Sequence, residues 1–198
     1  PVDLRVLKAM TPYFAASFGN PSSVHRFGQL AEAAIDSARE TVARVLNCRP
    51  DEIIFTSCGS ESDNLAIRGA AYAMREKTGA KWILASRAEH PAITKTLLHL
   101  EKYEGFLIEW LDTDAHGFVT PETVAKAICN NTAIVSVMYA NNEIGTINPI
   151  KAIAEICKAN NILFHTDAVQ AAAYLPVDVQ ALGVDMLWSP TAEIMYPP

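Results

Sequence analysis

The amino-acid sequence predicts an α/β fold, a mainly parallel sheet flanked by helices. Two observations carry this. From about residue 50 onward, short apolar, β-rich runs alternate with longer runs at helical spacing, the pattern of successive βαβ units. Half of the 198 residues are hydrophobic, which is enough to bury a sizeable core in one domain.

The strands are expected at 53–56, 82–85, 106–111, 133–139, 162–165 and 186–188. Helices are expected between them at 61–77, 92–103, 121–128 and 150–159, with Pro121 suited to a first helical turn. An earlier helix is expected over 29–46, where Leu30, Ala33, Ala34, Ala38, Val42 and Val45 share a face. Before it, Phe18-Gly-Asn-Pro-Ser-Ser23 clusters turn formers and reads as an ordered loop. From Trp188 the character changes, and Pro190, Pro197 and Pro198 predict an irregular end. The expected division is therefore 1–187 as one domain and 188–198 as a tail of different character.

Charge and cysteine usage narrow the function. The net charge of −6 comes from 22 acids and 16 bases that are scattered, so no basic face for nucleic acid is expected. No apolar run approaches the roughly eighteen residues of a membrane span, since 127–140 is broken by Asn130, Asn131 and Thr132. Cys48, Cys58, Cys129 and Cys157 lie far apart with no C-x-x-C pair, which predicts neither disulfides nor a metal site and suits a reducing, cytoplasmic location. The opening on Pro1, without an initiator methionine or a charged leader, predicts a cut or processed start.

In open parallel sheets, ligands bind beyond the carboxyl ends of the strands, and four loops there are polar. Ser57-Cys-Gly-Ser-Glu-Ser-Asp-Asn64 leads into a helix, where small residues leave amides and the Ser60 hydroxyl free for a phosphate. The same residues also read as an N-cap followed by first-turn acids. Arg87-Ala-Glu-His90 brings an imidazole to the sheet edge, able to stack on a flat cofactor or move a proton, or simply structural. Asn141-Asn-Glu-Ile-Gly145 offers amides to a ring substituent, or a turn. His165-Thr-Asp-Ala-Val-Gln170 ends an apolar strand on Asp167, whose partly desolvated carboxylate wants a cation such as a protonated pyridine nitrogen, or caps the next turn. Four polar clusters at equivalent strand ends predict one shared site.

The stretches PVDLRVLKAM, FGNPSSVHRFG, EIIFTSCGSESDNLAI, EHPAI, NNEIGTINPI, HTDAVQ and VDML, in this order, give the chain a resemblance to the cysteine desulfurases of the NifS and IscS kind, in the class V aminotransferase group. The resemblance covers nearly everything from Pro1 to Leu187. It implies the large domain of a fold-type I pyridoxal-phosphate-dependent transferase, with Gly59 and Ser60 on the cofactor phosphate. It further implies His90 stacked on the pyridine ring and assisting proton transfer, Asn142 and Gln170 on the ring hydroxyl, and Asp167 on the pyridine nitrogen. The implied reaction takes sulfur from L-cysteine, giving alanine and an enzyme persulfide that feeds an iron–sulfur scaffold protein. The implied assembly is a homodimer.

One departure stands out. After Val184-Asp-Met-Leu187 the family carries a serine, a small residue, a histidine and the lysine that forms the Schiff base, whereas here Pro190, Ala192 and Glu193, or Ile194 on a one-residue shift, hold the matching places. The last lysine is Lys158. With the family's persulfide cysteine and small C-terminal domain also lying beyond the matching segment, the expectation is an inactive fragment that holds the cofactor non-covalently at best. Another class V enzyme, such as a selenocysteine lyase or a transaminase, and a catalytically silent paralogue acting as a partner chain are the alternatives.

Overall fold

The computed structural model describes residues 2–189 and the backbone of 192–195. Its centre is a seven-stranded sheet in the order β1-β7-β6-β5-β4-β2-β3. In chain order, the elements begin with α1 (Leu4–Met10), α2 (Pro12–Ala15), α3 (Arg26–Leu46) and β1 (Ile53–Ile54). Then come α4 (Gly59–Thr78), β2 (Trp82–Ser86), α5 (Pro91–Glu104), β3 (Leu107–Leu111), α6 (Pro121–Ala127) and β4 (Thr132–Ser136). The chain continues through α7 (Ile150–Ala159), β5 (Leu163–Asp167), α8 (Val179–Leu182), β6 (Met186–Ser189) and β7 (Ala192–Met195). β2 through β6 pair in parallel, while β7 runs antiparallel between β6 and β1.

The central strands are buried on both faces and divide their side chains between two cores. Ile83 and Ala85 of β2 join Ala66, Ile67, Ala70, Ile93, Leu97 and Leu100 beneath α4 and α5. Leu84, Val135, Phe164 and Leu187 face the opposite way, toward Val124, Ile153 and Cys157 of α6 and α7. Helix ends follow local chemistry. α4 and α5 stop at Gly79 and Gly105, both in the left-handed conformation, and Pro91 and Pro121 open their helices.

Two expectations are corrected. The tail after Trp188 is not irregular throughout, because residues 192–195 contain no proline and complete the ladder between β6 and β1. The family-motif positions Pro190 and Thr191 lie outside the described residues, as do the side chains at 192–195 and hence those of Glu193 and Ile194. The second correction concerns α3, where Leu30 and Val45 of the predicted face remain 58% and 67% exposed. Ala43 and Leu46 are buried instead, because α3 meets the core only near its C-terminal end.

The N-terminal elements expose apolar surface, with Leu4, Phe14 and Phe18 outside the core and α1 and α2 burying no residue. The loop before α3 is ordered as expected. Asn20 caps its own turn through Ser22 N–H at 3.0 Å, and Phe18 stacks on Phe27 at 5.7 Å. Gly28 lies so close to the Ser23 carbonyl that a Cβ would overlap it, which fixes the approach of loop to helix.

Asn148 ties the loop after β4 to the body of the fold. Its Oδ1 accepts from Val119 N–H at 2.9 Å, its Nδ2 donates to Met138 C=O at 2.8 Å, and it is buried. Asn148→Ala leaves both backbone groups unpaired inside the protein and is expected to cost about 2 to 3 kcal/mol. The check is the urea midpoint of the variant, which should fall without a change in slope.

Candidate functional site

The parallel pairing brings the carboxyl ends of β2, β4, β5 and β6 to one edge of the sheet, with the N-terminus of α4 beside them. There, Gly59, Asp63, His90, Met138, Asn142, Asp167, Val169, Gln170 and Trp188 line a cleft of about 160 Å³. Five of the six residues expected at a shared site therefore meet. Ser60 does not line this cleft; it is exposed on the first turn of α4, next to Gly59.

Each of these residues is held by local chemistry. Asp167 is the last residue of β5, 3% exposed, and its Oδ1 accepts from Val169 N–H at 3.0 Å. Burial raises its pKa above the usual carboxyl range, while the Val169 N–H and nearby His90 pull it back. His90 caps α5, its Nδ1 accepting from Ala92 N–H at 3.1 Å. That bond puts the proton of the neutral ring on Nε2, making this edge a donor. Asn141 makes the turn: its Oδ1 accepts from Glu143 N–H and Ile144 N–H at 2.9 and 3.0 Å, and its Nδ2 donates to Ala88 C=O at 2.9 Å. The neighbouring Asn142 is left to face the cleft. Gly59 and Ser60, as the first residues of α4, have amides without intrahelical acceptors.

From the sequence, Asp63 reads only as a first-turn acid of α4, and Glu89 has no role. Asp63 lies on the buried stripe of α4 with Ala66, Ile67 and Ala70, and burial followed by the charge of Asp167 pushes its pKa up to about 8. Its position three and four residues before Ala66 and Ile67 is the signal that marks it as inward-facing. Glu89 turns its carboxyl inward, where Oε1 accepts from Ser86 Oγ at 2.5 Å and Met138 N–H at 2.7 Å. Burial raises it to about 8 against those two bonds, with Asp167 and Asp63 adding to the rise. Asp63 Oδ1 and Glu89 Oε2 have no hydrogen-bond partner among the described residues.

His165 completes the cluster. It is fully buried, its Nδ1 lies 3.0 Å from Ser136 Oγ, and its Nε2 stands 4.0 Å from Asp63 Oδ1, too far for a hydrogen bond. Desolvation lowers its pKa to about 4, so the ring is neutral at pH 7.

The buried carboxyl of Asp167 at the cleft favours a cation, which offsets the desolvation of its charged form. A protonated pyridine nitrogen fits that demand at Asp167, and the free amides of Gly59 and Ser60 suit the phosphate of the same cofactor. No cluster of three or more His, Cys, Asp or Glu among the described residues is placed to hold a metal ion. The cysteines are free, and burial holds the thiols of Cys48 and Cys157 at about 11 and about 12, which makes them poor nucleophiles.

The raised pKa of Asp63 sets a sign for stability. A carboxyl shifted from 3.8 to about 8 contributes fully below its unfolded pKa and loses that contribution as pH rises toward about 8. His165, shifted from 6.5 to about 4, acts in the opposite sense and loses its contribution as pH falls through that window. Asp63→Asn should therefore raise the Tm by roughly 3 °C or more near pH 8 and by much less near pH 5. Thermal scans across this range check it, and a pH-independent difference would refute it.

Comparison with known proteins agrees with this geometry. The aminotransferase class-V family model matches residues 1–197. Cysteine desulfurase IscS of Clostridium botulinum strain Hall is 49% identical over 193 residues, covering 98% of this chain and 48% of its own length. That of Dictyoglomus turgidum is 46% identical over 198 residues, covering 100% and 49%. The chain spans about half the length of the curated relatives it matches. Among solved structures, SspA in complex with cysteine superposes with a TM-score of 0.92 at 36% identity, over 98% of this chain and 58% of that one. A NifS-like protein gives 0.90 at 35% identity, over 98% and 56%. Sheet, cleft and comparison lead to one assignment: the chain belongs to the aminotransferase class-V family.

Proposed function

We propose that this chain is the cofactor-binding part of a cysteine desulfurase, holding pyridoxal 5'-phosphate without a covalent bond and unable to turn over by itself. The observation that supports this reading best is the buried Asp167 carboxyl at the floor of the cleft, with His90, Asn142 and Gln170 around it. When bound, pyridoxal phosphate supplies an electron sink for chemistry at the carbon bearing the substrate amine. Asp167 keeps the ring nitrogen protonated, and the Val169 N–H orients that carboxyl. His90 would lie against the ring and offer it Nε2–H as a donor, since its Nδ1 is taken by Ala92 N–H. Asn142 and Gln170 address the ring hydroxyl, and Gly59 and Ser60 receive the phosphate.

The substrate in this reading is L-cysteine; the structural neighbour SspA is in complex with cysteine. The products are alanine and a persulfide destined for an iron–sulfur scaffold protein. In this reading the whole protein acts as a homodimer in the cytoplasm. Among the described residues, no helix is long and apolar enough to cross a membrane. The exposed apolar residues of α1, α2 and the following loop are surface available to a partner subunit.

Equilibrium dialysis of the chain against pyridoxal phosphate tests the reading. Asp167→Asn should weaken retention by about tenfold or more, the loss of one charge-assisted contact. Unchanged affinity would remove Asp167 from the site. Borohydride reduction of the loaded chain should leave no label on the peptide spanning 185–198, since Glu193 and Ile194 carry no amine in their side chains. A label there would overturn the non-covalent assignment.

A further inference from the structure

We propose that the indole of Trp188 closes the phosphate end of the cleft, so that this chain must swing its own tryptophan aside before a cofactor phosphate reaches Gly59 and Ser60. The inference rests on the cofactor reading above and concerns a residue to which that reading assigns no role.

Trp188 sits on β6 in register with Asp167 on β5, and its carbonyl accepts from Ala168 N–H at 2.9 Å, so its backbone is fixed beside the acid. Paired residues on neighbouring parallel strands project to the same face of the sheet, which puts the indole and the Asp167 carboxyl side by side. The far edge of the ring reaches the start of α4. A Cβ built on Gly59 would lie 2.6 Å from Cζ2 and 2.7 Å from Cη2 of Trp188, closer than a Cβ tolerates. Only a glycine allows the ring this approach.

The indole thus spans the distance between Asp167 and the first turn of α4. A flat ring with a phosphate arm, paired to Asp167 at one end and to the amides at the other, has to cover the same span. The space left over is consistent with this. The cleft measures about 160 Å³, well under the roughly 300 Å³ at the lower end of small-molecule sites. Asp63 Oδ1, buried in the lining and without a hydrogen-bond partner, marks the polar side of the pocket that stays open. In its observed rotamer, Trp188 lies against the first residue of α4, between Asp167 and the helix start that carries the free amides.

The test compares the 198-residue chain with Trp188→Ala and Trp188→Phe by equilibrium dialysis against pyridoxal 5'-phosphate and, separately, pyridoxal, which lacks the phosphate. Far-UV circular dichroism confirms that each variant is folded. Trp188→Ala should bind pyridoxal phosphate about tenfold more tightly or better, with Trp188→Phe between it and the parent. Affinity for pyridoxal should change by less than about threefold. If Trp188→Ala fails to fold, Trp188→Phe decides, and a gain below about twofold overturns the proposal. Equal gains for both ligands would overturn it too, as would weaker binding of pyridoxal phosphate by Trp188→Ala, which would make the indole a stacking surface. If the parent binds pyridoxal phosphate and Asp167→Asn weakens it, yet Trp188→Ala brings no gain, the gate falls and the cofactor reading stands. If neither the parent nor any Trp188 variant retains pyridoxal phosphate, both fall.

Discussion

The parallel pairing of β5 with β4 on one side and β6 on the other is the constraint on which the cleft depends, because it brings strand ends far apart in sequence to one edge. Asp167 ends β5, the 141–145 loop follows β4, and Trp188 lies in β6 directly beside Asp167. The neighbouring β2 delivers Glu89 and His90, and α4 approaches from its own face of the sheet. Asp167 is fixed by the sheet ladder, Gly59 and His90 by helix starts, and Asn142 by the turn that the Asn141 side chain makes. Strand ends so held lose little further conformational freedom when a ligand arrives.

Burial then gives the site its character. The carboxyls of Asp63, Glu89 and Asp167 are withdrawn from water at one place; the charge of Asp167 disfavours ionisation of Asp63 and Glu89, and that of Asp63 disfavours ionisation of Glu89. Neutral His165 brings no compensating charge. Such an arrangement disfavours folding at higher pH and favours a bound cation, the usual tension between stability and function at an active site. Asp167 is the member best placed to remain ionised, since the Val169 N–H and His90 both stabilise its charged form.

At the other end of the chain the balance is reversed. α1 and α2 bury no residue, and the apolar side chains from Leu4 to Phe18 contribute nothing to either core. The upstream half of α3 is held mainly by its junction with the loop at Gly28, while its last turns pack at Ala43 and Leu46. The segment before α3 is therefore stabilised by local turns rather than by the sheet, and it is the part of the fold whose apolar surface gains most from a further packing partner.

Much of this was legible in the residues themselves. Apolar runs of strand length and the helical spacing between them located β2, β4, β5 and the helices α4, α5 and α7, because both periodicities are local. Polar residues after those runs located His90, Asn142 and Asp167, and the Glu193 and Ile194 positions already excluded a lysine there. Tertiary structure decided what local pattern does not carry. It inserted 192–195 between β1 and β6, exposed Leu30 and Val45 on α3, turned Asp63 and Glu89 inward behind Asp167, and laid Trp188 over Gly59. Each of these depends on which distant segment packs alongside, and burial, pKa and steric access are properties of that packing rather than of neighbours in sequence.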